Sequence, residues 1–182
     1  MEENRSLDKK RVAEIVREFL KYFSFFNILS TEELSIIASY LDFFEIEAGK
    51  VVFREGDEGD AIYFVVEGEL DVIKDSVSGS KVGVDKVVIS KMSKGYSIGE
   101  MSIIDNVPRS ATVRASTRST LVALTREGFN IILDEYPKIG IKILKGLFRI
   151  LSKNLRRASG QLADYTLTWS KLLGEANQEK SE

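Results

Sequence analysis

The chain has 182 residues, 43% of them hydrophobic and 30% charged, with a formal net charge of -2 and neither Cys nor His. That length allows one domain with a real core plus helical extensions. The missing residue types exclude disulfides, thiolate chemistry, Cys-based zinc sites and Ser-His-Asp catalysis, and the small net charge implies no global attraction to nucleic acid. No apolar run approaches the roughly 20 residues that span a bilayer. The first residues, Met-Glu-Glu-Asn-Arg, lack the apolar core of a secretion signal, so a cytoplasmic location is expected.

The first periodic segment is Leu7 to Phe23, where Val12, Ile15, Val16, Phe19, Leu20 and Phe23 fall at helical spacing. An apolar knot, Phe25, Phe26, Ile28 and Leu29, follows. Ser30-Thr31-Glu32-Glu33 then signals a helix start with an acidic first turn. That helix is expected to end near Leu41. From Phe43 to Thr125 the pattern changes to short strands separated by turns, which predicts a sandwich or closed roll. Ile62, Phe64 and Val66 alternate along one strand, Glu67-Gly68 links it to the next, and 75–84 reads as a flexible hairpin loop. The loop Arg54 to Asp60 is acidic and glycine-punctuated. It lacks the spacing of side-chain oxygens and the closing Glu of a calcium loop, so it reads as a structural turn.

The stretch from Gly99 to Thr112 carries the chemistry. Gly99 allows close approach of a ligand or another backbone, and Glu100 is a carboxylate suited to accepting from a sugar hydroxyl. Met101 to Asp105 forms a short helical turn with N–H groups directed at an anion. Pro108 fixes the backbone ahead of Arg109, whose planar fork matches phosphate oxygens, and Ser110 adds a hydroxyl. Ala111 begins the strand that leaves the loop. This run of Gly-Glu, a short turn, then Arg, a small residue and Ala resembles the phosphate-binding cassette of cyclic nucleotide-binding domains. The similarity extends roughly from Leu29 to Leu155.

That resemblance implies a mainly β fold with flanking helices: a β-roll (jelly roll, double-stranded β-helix) with an N-terminal helical segment and a long C-terminal helix. It implies that Glu100 takes the ribose 2′-hydroxyl and Arg109 the cyclic phosphate, with Gly99, Met101, Ser102, Ser110 and Ala111 completing the cassette. Met101 stands where Leu is frequent, and Ser102 where the family has a small residue. A hydroxyl such as that of Ser110 supports guanine in some members and lies against the phosphate in the bacterial cyclic-AMP regulators, so it does not choose the base. Counted without gaps from Arg109, Asn154 falls where those regulators place a hydroxyl residue facing the adenine. Its amide carries both donor and acceptor, as adenine's edge requires, although an Asn that sets coiled-coil register reads equally well.

Arg126 to Glu135 reads as a short helix, and Pro137 opens another that continues to about Leu173. On it Leu144, Leu151, Ala158, Tyr165 and Leu172 recur every seven residues, and Phe148, Leu155, Leu162 and Trp169 form a second series. The two make an a/d seam over about four heptads and favour a homodimeric coiled coil, with packing back onto the roll as the other reading. Lys138, Lys142, Lys145, Arg149, Lys153, Arg156 and Arg157 lie mostly off the seam, as solvated charge does. The expected organisation is a helical segment over 1–41, the β-roll over 42–126, hinge and long helix over 127–173, and a polar tail over 174–182. About ten residues follow Leu172, too few for a DNA-reading module, and no membrane span is visible.

The functional expectation is a sensor that binds cAMP and signals through its C-terminal helix to an effector protein or a dimer mate. The alternatives are a ligand-free interaction scaffold on the same fold and a sensor that prefers cGMP. A nucleotide-processing enzyme is disfavoured, because no catalytic base or metal set is visible.

Overall fold

The computed structural model of the chain describes residues 23, 26–75 and 86–179, with the side chains of the last helix described as far as Ser170. The helix expected over Leu7 to Phe23 and most of the expected 75–84 loop lie outside the described residues, apart from their ends at Phe23 and Asp75. Helix α1 (Thr31–Ala38) starts where the sequence signals it. Ser30 Oγ accepts from the Glu33 backbone N–H at 3.3 Å, and Glu33 Oε2 accepts from the Ser30 N–H at 2.7 Å. This reciprocal capping box satisfies two donors that the first turn leaves open.

Eight strands follow in two antiparallel four-stranded sheets. One contains β1 (Leu41–Ile46), β8 (Ser119–Thr125), β3 (Ala61–Glu67) and β6 (Ser97–Ile98) in that order. The other contains β2 (Val51–Phe53), β7 (Thr112–Ala115), β4 (Glu69–Asp75) and β5 (Lys86–Ser93). The six-residue helix α2 (Glu100–Asp105) interrupts the strands between β6 and β7. The β3–β4 link shrinks to Gly68 alone. The architecture is the expected β-roll, with a helix before it and a long helix after it.

Two apolar clusters hold the layers together. Val65, Leu70, Val113 and Leu121 fill the space within the roll. Phe64 and Ile62 of β3 face the helices and meet Phe23, Phe26, Ile37, Ile132 and Ile143. The Phe64 ring lies 5.3 Å from the rings of both Phe23 and Phe26. Full burial of each such side chain stabilises the fold by about 1.5–3 kcal/mol.

Helix α3 (Arg126–Glu135) is capped by Thr125, whose hydroxyl accepts from the Gly128 N–H at 3.1 Å. Pro137 occupies the first turn of α4 (Pro137–Glu179), where its missing N–H leaves no bond unmade. α4 continues past the expected end at Leu173. Its start packs onto the roll through Ile139, Ile143 and Leu147, all buried and spaced four residues apart. Lys142 Nζ also reaches both carboxylate oxygens of Glu33 at 2.7 Å, which ties α4 to the capped end of α1. Beyond Leu151 every described side chain of α4 except Asn154 is exposed.

Candidate functional site

The site begins with a backbone constraint at Gly99. It has φ +80°, and a Cβ there would lie 2.2 Å from Arg109 Nη1, so glycine is required for both reasons. Gly99 turns the chain from β6 into α2 and brings its carbonyl to Arg109 Nη1, which donates to it at 2.9 Å. Nη2 of the same guanidinium donates to the carbonyl of Ala61 at 2.8 Å and to Asp60 Oδ1 at 3.0 Å. The guanidinium carbon lies 4.3 Å above the Phe53 ring and 5.6 Å from that of Tyr63. Arg109 is 2% exposed. A charge this deep is held by charge-assisted hydrogen bonds and aromatic faces around it.

The acidic loop between β2 and β3 forms the brace. Its backbone pairs with that of Arg109 in both directions: Arg109 N–H donates to Asp57 O at 2.8 Å, and Gly56 N–H donates to Arg109 O at 2.9 Å. Asp57 closes its own turn by accepting from the Arg54 N–H at 2.7 Å. Gly59 lies against α2, where a Cβ would fall 2.1 Å from that of Ser102. Among the described residues no group of carboxylates is arranged to hold a metal. Its backbone bonds to Arg109 and the Asp60 carboxylate hold the arginine in place.

Glu100 opens α2 and is 7% exposed. Burial pushes its carboxyl above the ordinary range; bonds from its own backbone N–H and from Asn154, together with the charge of Arg109, pull the other way. Asn154, on α4, donates from Nδ2 to Glu100 Oε1 at 3.1 Å. Helix α4 thus touches the cassette at the residue expected to read the sugar.

Arg126 fixes the far end of α2. It donates to the carbonyls of Gly59 at 2.5 Å, Ser102 at 2.8 Å and Ile103 at 3.4 Å, and to Asn106 Oδ1. Asn106 ends α2 in the left-handed region, with φ 58°. One side chain at the start of α3 therefore joins the brace loop, the cassette helix and the helix that leads to α4.

These elements border a cleft whose empty space, open mouth included, is about 510 Å³. All eight residues expected from the sequence line it: Gly99, Glu100, Met101, Ser102, Arg109, Ser110, Ala111 and Asn154. They differ in depth. Ser102 is 2% exposed, whereas Met101 is half exposed and Ser110 lies at the surface, its carbonyl accepting from Lys74 Nζ at 2.7 Å. Phe53, Val72, Met92 and Val113 provide an apolar wall, the surface that a flat ring system needs opposite a polar cradle.

The profile described as the cyclic nucleotide-binding domain matches residues 43–136, more than half of the chain. The chain belongs to the cyclic nucleotide-binding domain family. Among solved structures, a cyclic nucleotide-binding domain from Methylobacillus flagellatus KT superposes with a TM-score of 0.74 at 30% identity, covering 85% of this chain and 84% of that one. The catabolite activator protein of Thermus thermophilus superposes with a TM-score of 0.65 at 28% identity, covering 76% of this chain and 61% of that one. A curated relative, the lysophospholipase NTE1 of Chaetomium globosum, is 38% identical over 105 residues, which are 58% of this chain and 7% of that protein. The chain thus spans well under a tenth of that relative's length. Among the described residues no helix is long and apolar enough to cross a membrane.

Several residues of this cyclic nucleotide-binding domain were not singled out from sequence. Asp60 reads there as part of a turn, yet it is the side-chain carboxylate on Arg109. Phe53 and Tyr63 fall within the run of short strands expected from Phe43 to Thr125, and their rings face the guanidinium. The available signal was charge balance: an arginine expected at a buried site needs a carboxylate nearby, and the acidic loop was the richest source.

Proposed function

We propose that the chain is a cytoplasmic cAMP sensor that regulates an effector through α4 and is not itself an enzyme. The observation that carries this reading is the meeting of Arg109 and Glu100, both buried, with Asn154 of α4 in one cleft. In this reading Arg109 and the cassette residues Gly99, Met101, Ser102, Ser110 and Ala111 hold the cyclic phosphate. Glu100 accepts from the ribose 2′-hydroxyl. The purine lies against the apolar wall.

The choice of base rests on the orientation of the Asn154 amide. An ionised carboxylate only accepts hydrogen bonds, so Glu100 draws the Nδ2 end of that amide towards itself. Oδ1 is then the end turned to the ligand. It suits the amino group of adenine and opposes the carbonyl oxygen that guanine carries at the same position. This supports cAMP over cGMP. Ribose and Asn154 both address Glu100, so occupancy of the cleft biases the position of α4, and through it an effector or a second copy. The curated relative is named a lysophospholipase, so a lipid-hydrolysing effector is one candidate. For the second copy, the stripe Phe148, Leu155, Leu162 and Trp169 is more than 60% exposed at every position and keeps the period of a coiled-coil seam, which supports homodimerisation through α4.

Calorimetric titration of the full chain with cAMP and cGMP tests the reading. Binding of cAMP in preference to cGMP is expected. Arg109→Ala should weaken cAMP at least tenfold, since charge-assisted hydrogen bonds contribute about 1.5–3 kcal/mol. A folded Arg109→Ala chain with unchanged cAMP affinity would remove the phosphate assignment. A wild-type chain that binds neither nucleotide would leave the interaction scaffold in its place.

A further inference from the structure

We infer that Arg126 is a positioning residue of the sugar site, acting through α2 to hold Glu100 where it can read a ribose. The inference rests on the sensor reading above. α2 carries Glu100, Met101 and Ser102 into the cleft, yet it has only six residues. A helix that short does not hold its shape unaided, and its last four carbonyls find no partners within it. Arg126 supplies partners from another element. Its guanidinium donates to the carbonyls of Ser102 and Ile103 and to the side chain of Asn106, the residue that ends the helix. A cation at that end also meets the negative pole of the helix.

The same side chain fixes what α2 stands on. Gly59 lies so close to Ser102 that a Cβ has no room, and Arg126 Nη2 donates to the carbonyls of both residues of this contact. The Arg126 backbone N–H donates to the carbonyl of Asp60 at 2.7 Å. Asp60 and Ala61 in turn accept from Arg109. Arg126 therefore ties the helix of the glutamate and the acceptors of the phosphate arginine to one frame. It lies outside the lining of the cleft, so its effect on a ligand passes through these residues. The sugar side depends on it more than the phosphate side does. Arg109 keeps the Gly99 carbonyl and the rings of Phe53 and Tyr63 as holds that do not involve Arg126, whereas three of the contacts of Arg126 fall on the last residues of α2 and on its cap.

The test uses the full chain and compares cAMP with its 2′-deoxy analogue in wild type, Arg126→Gln, Arg126→Lys and Glu100→Gln. The ratio of the two affinities is read on one folded population, so a loss of stability cancels from it. Wild type should favour cAMP about tenfold or more, the size of a charge-assisted hydrogen bond. Arg126→Gln should shrink that ratio to about threefold or less, towards the value for Glu100→Gln. Arg126→Lys, which keeps a cation at the end of α2 but reaches fewer acceptors, should fall between. A wild-type ratio in both Arg126 variants overturns the inference, even if both bind more weakly or melt earlier, because Arg126 then supports only the fold. Should Arg126→Gln not fold, the ratio in Arg126→Lys decides alone. A wild type that binds cAMP without this preference takes Glu100 off the sugar, which overturns the inference and leaves cAMP binding standing. If the wild type binds no cyclic nucleotide, the sensor reading falls and this inference falls with it.

Discussion

Helix α4 carries apolar residues in both of its halves, yet the two halves meet different surroundings. In the first half Ile139, Ile143 and Leu147 are buried against the roll. In the second half Leu155, Leu162 and Trp169 are 65–69% exposed. The two sets do not lie on one face. The roll takes the 139–143–147 row, while the seven-residue series runs through Leu144, Phe148, Leu151 and Leu155 on the adjacent side. Leu144 is partly covered by the core, but Phe148 is already 63% exposed within the docked half. A hydrophobic period reports that a helix has an apolar side. It does not report what covers that side. Here the roll uses one row and leaves the neighbouring seam for another surface, so packing back and pairing are not exclusive uses of the helix.

The largest expected difference comes from removing one leucine in each half. Leu147 is 1% exposed, so Leu147→Ala should cost about 2–5 kcal/mol of folding stability in denaturant titration. Leu162→Ala should leave the fold within about 0.5 kcal/mol, as surface substitutions do, while weakening association. Equal loss of folding stability in the two variants would erase the contrast. Next in size is the loss of assembly when the chain is cut before Gly160, which should move the protein from dimer towards monomer in sedimentation with little change in melting. A full-length chain that stays monomeric at high micromolar concentration would remove the second copy from the seam.

The same contrast explains which parts were legible in the sequence. Local signals carried through: the helix start at Ser30 to Glu33, the Arg126 to Glu135 helix and Pro137 at the next helix start each depend on neighbours within a few residues. Glu100 and Arg109 were legible because their motif is contiguous. Contacts that close over long separations were not. Lys142 reads as solvated charge on α4 yet binds Glu33, 109 positions away. Asp60 meets Arg109 across 49 positions. Ser97 looks like any strand serine, yet its hydroxyl is buried with no hydrogen-bond partner among the described residues. Periodicity and propensity contain no term for such pairs, which tertiary packing decides.

Asn154 stands at the boundary between the two halves, half-buried where its neighbours are exposed. If its amide reads the base, Asn154→Ala should narrow the preference for cAMP over cGMP by a few-fold, about the worth of one hydrogen bond. Competition titrations with both nucleotides measure this. A variant with unaltered affinity for both would take Asn154 out of the site and leave it as a tether between α4 and the cassette.

The smallest expected effect concerns Glu100, the residue that holds Asn154 at that boundary. Burial raises its carboxyl in the folded chain above its ordinary value, so the folded chain binds the proton more tightly than the unfolded one. Below the ordinary carboxylate range both states are protonated and no penalty exists. As pH rises from that range through the raised folded value, the unfolded chain ionises first and stability falls. At neutral pH the folded chain carries the full cost of a buried carboxylate. Glu100→Gln keeps the shape and an acceptor for Asn154 but has no charge to bury. It should melt at a slightly higher temperature than wild type at pH 7 and lose this part of the pH dependence between mildly acidic and neutral conditions. The same variant should bind cAMP more weakly and show a smaller gap between cAMP and its 2′-deoxy analogue, because the charged acceptor for the 2′-hydroxyl is gone. A Glu100→Gln chain with the wild-type pH slope and the wild-type gap would mean that this carboxylate neither carries the burial cost nor reads the sugar, and that α4 is held at its midpoint by packing alone.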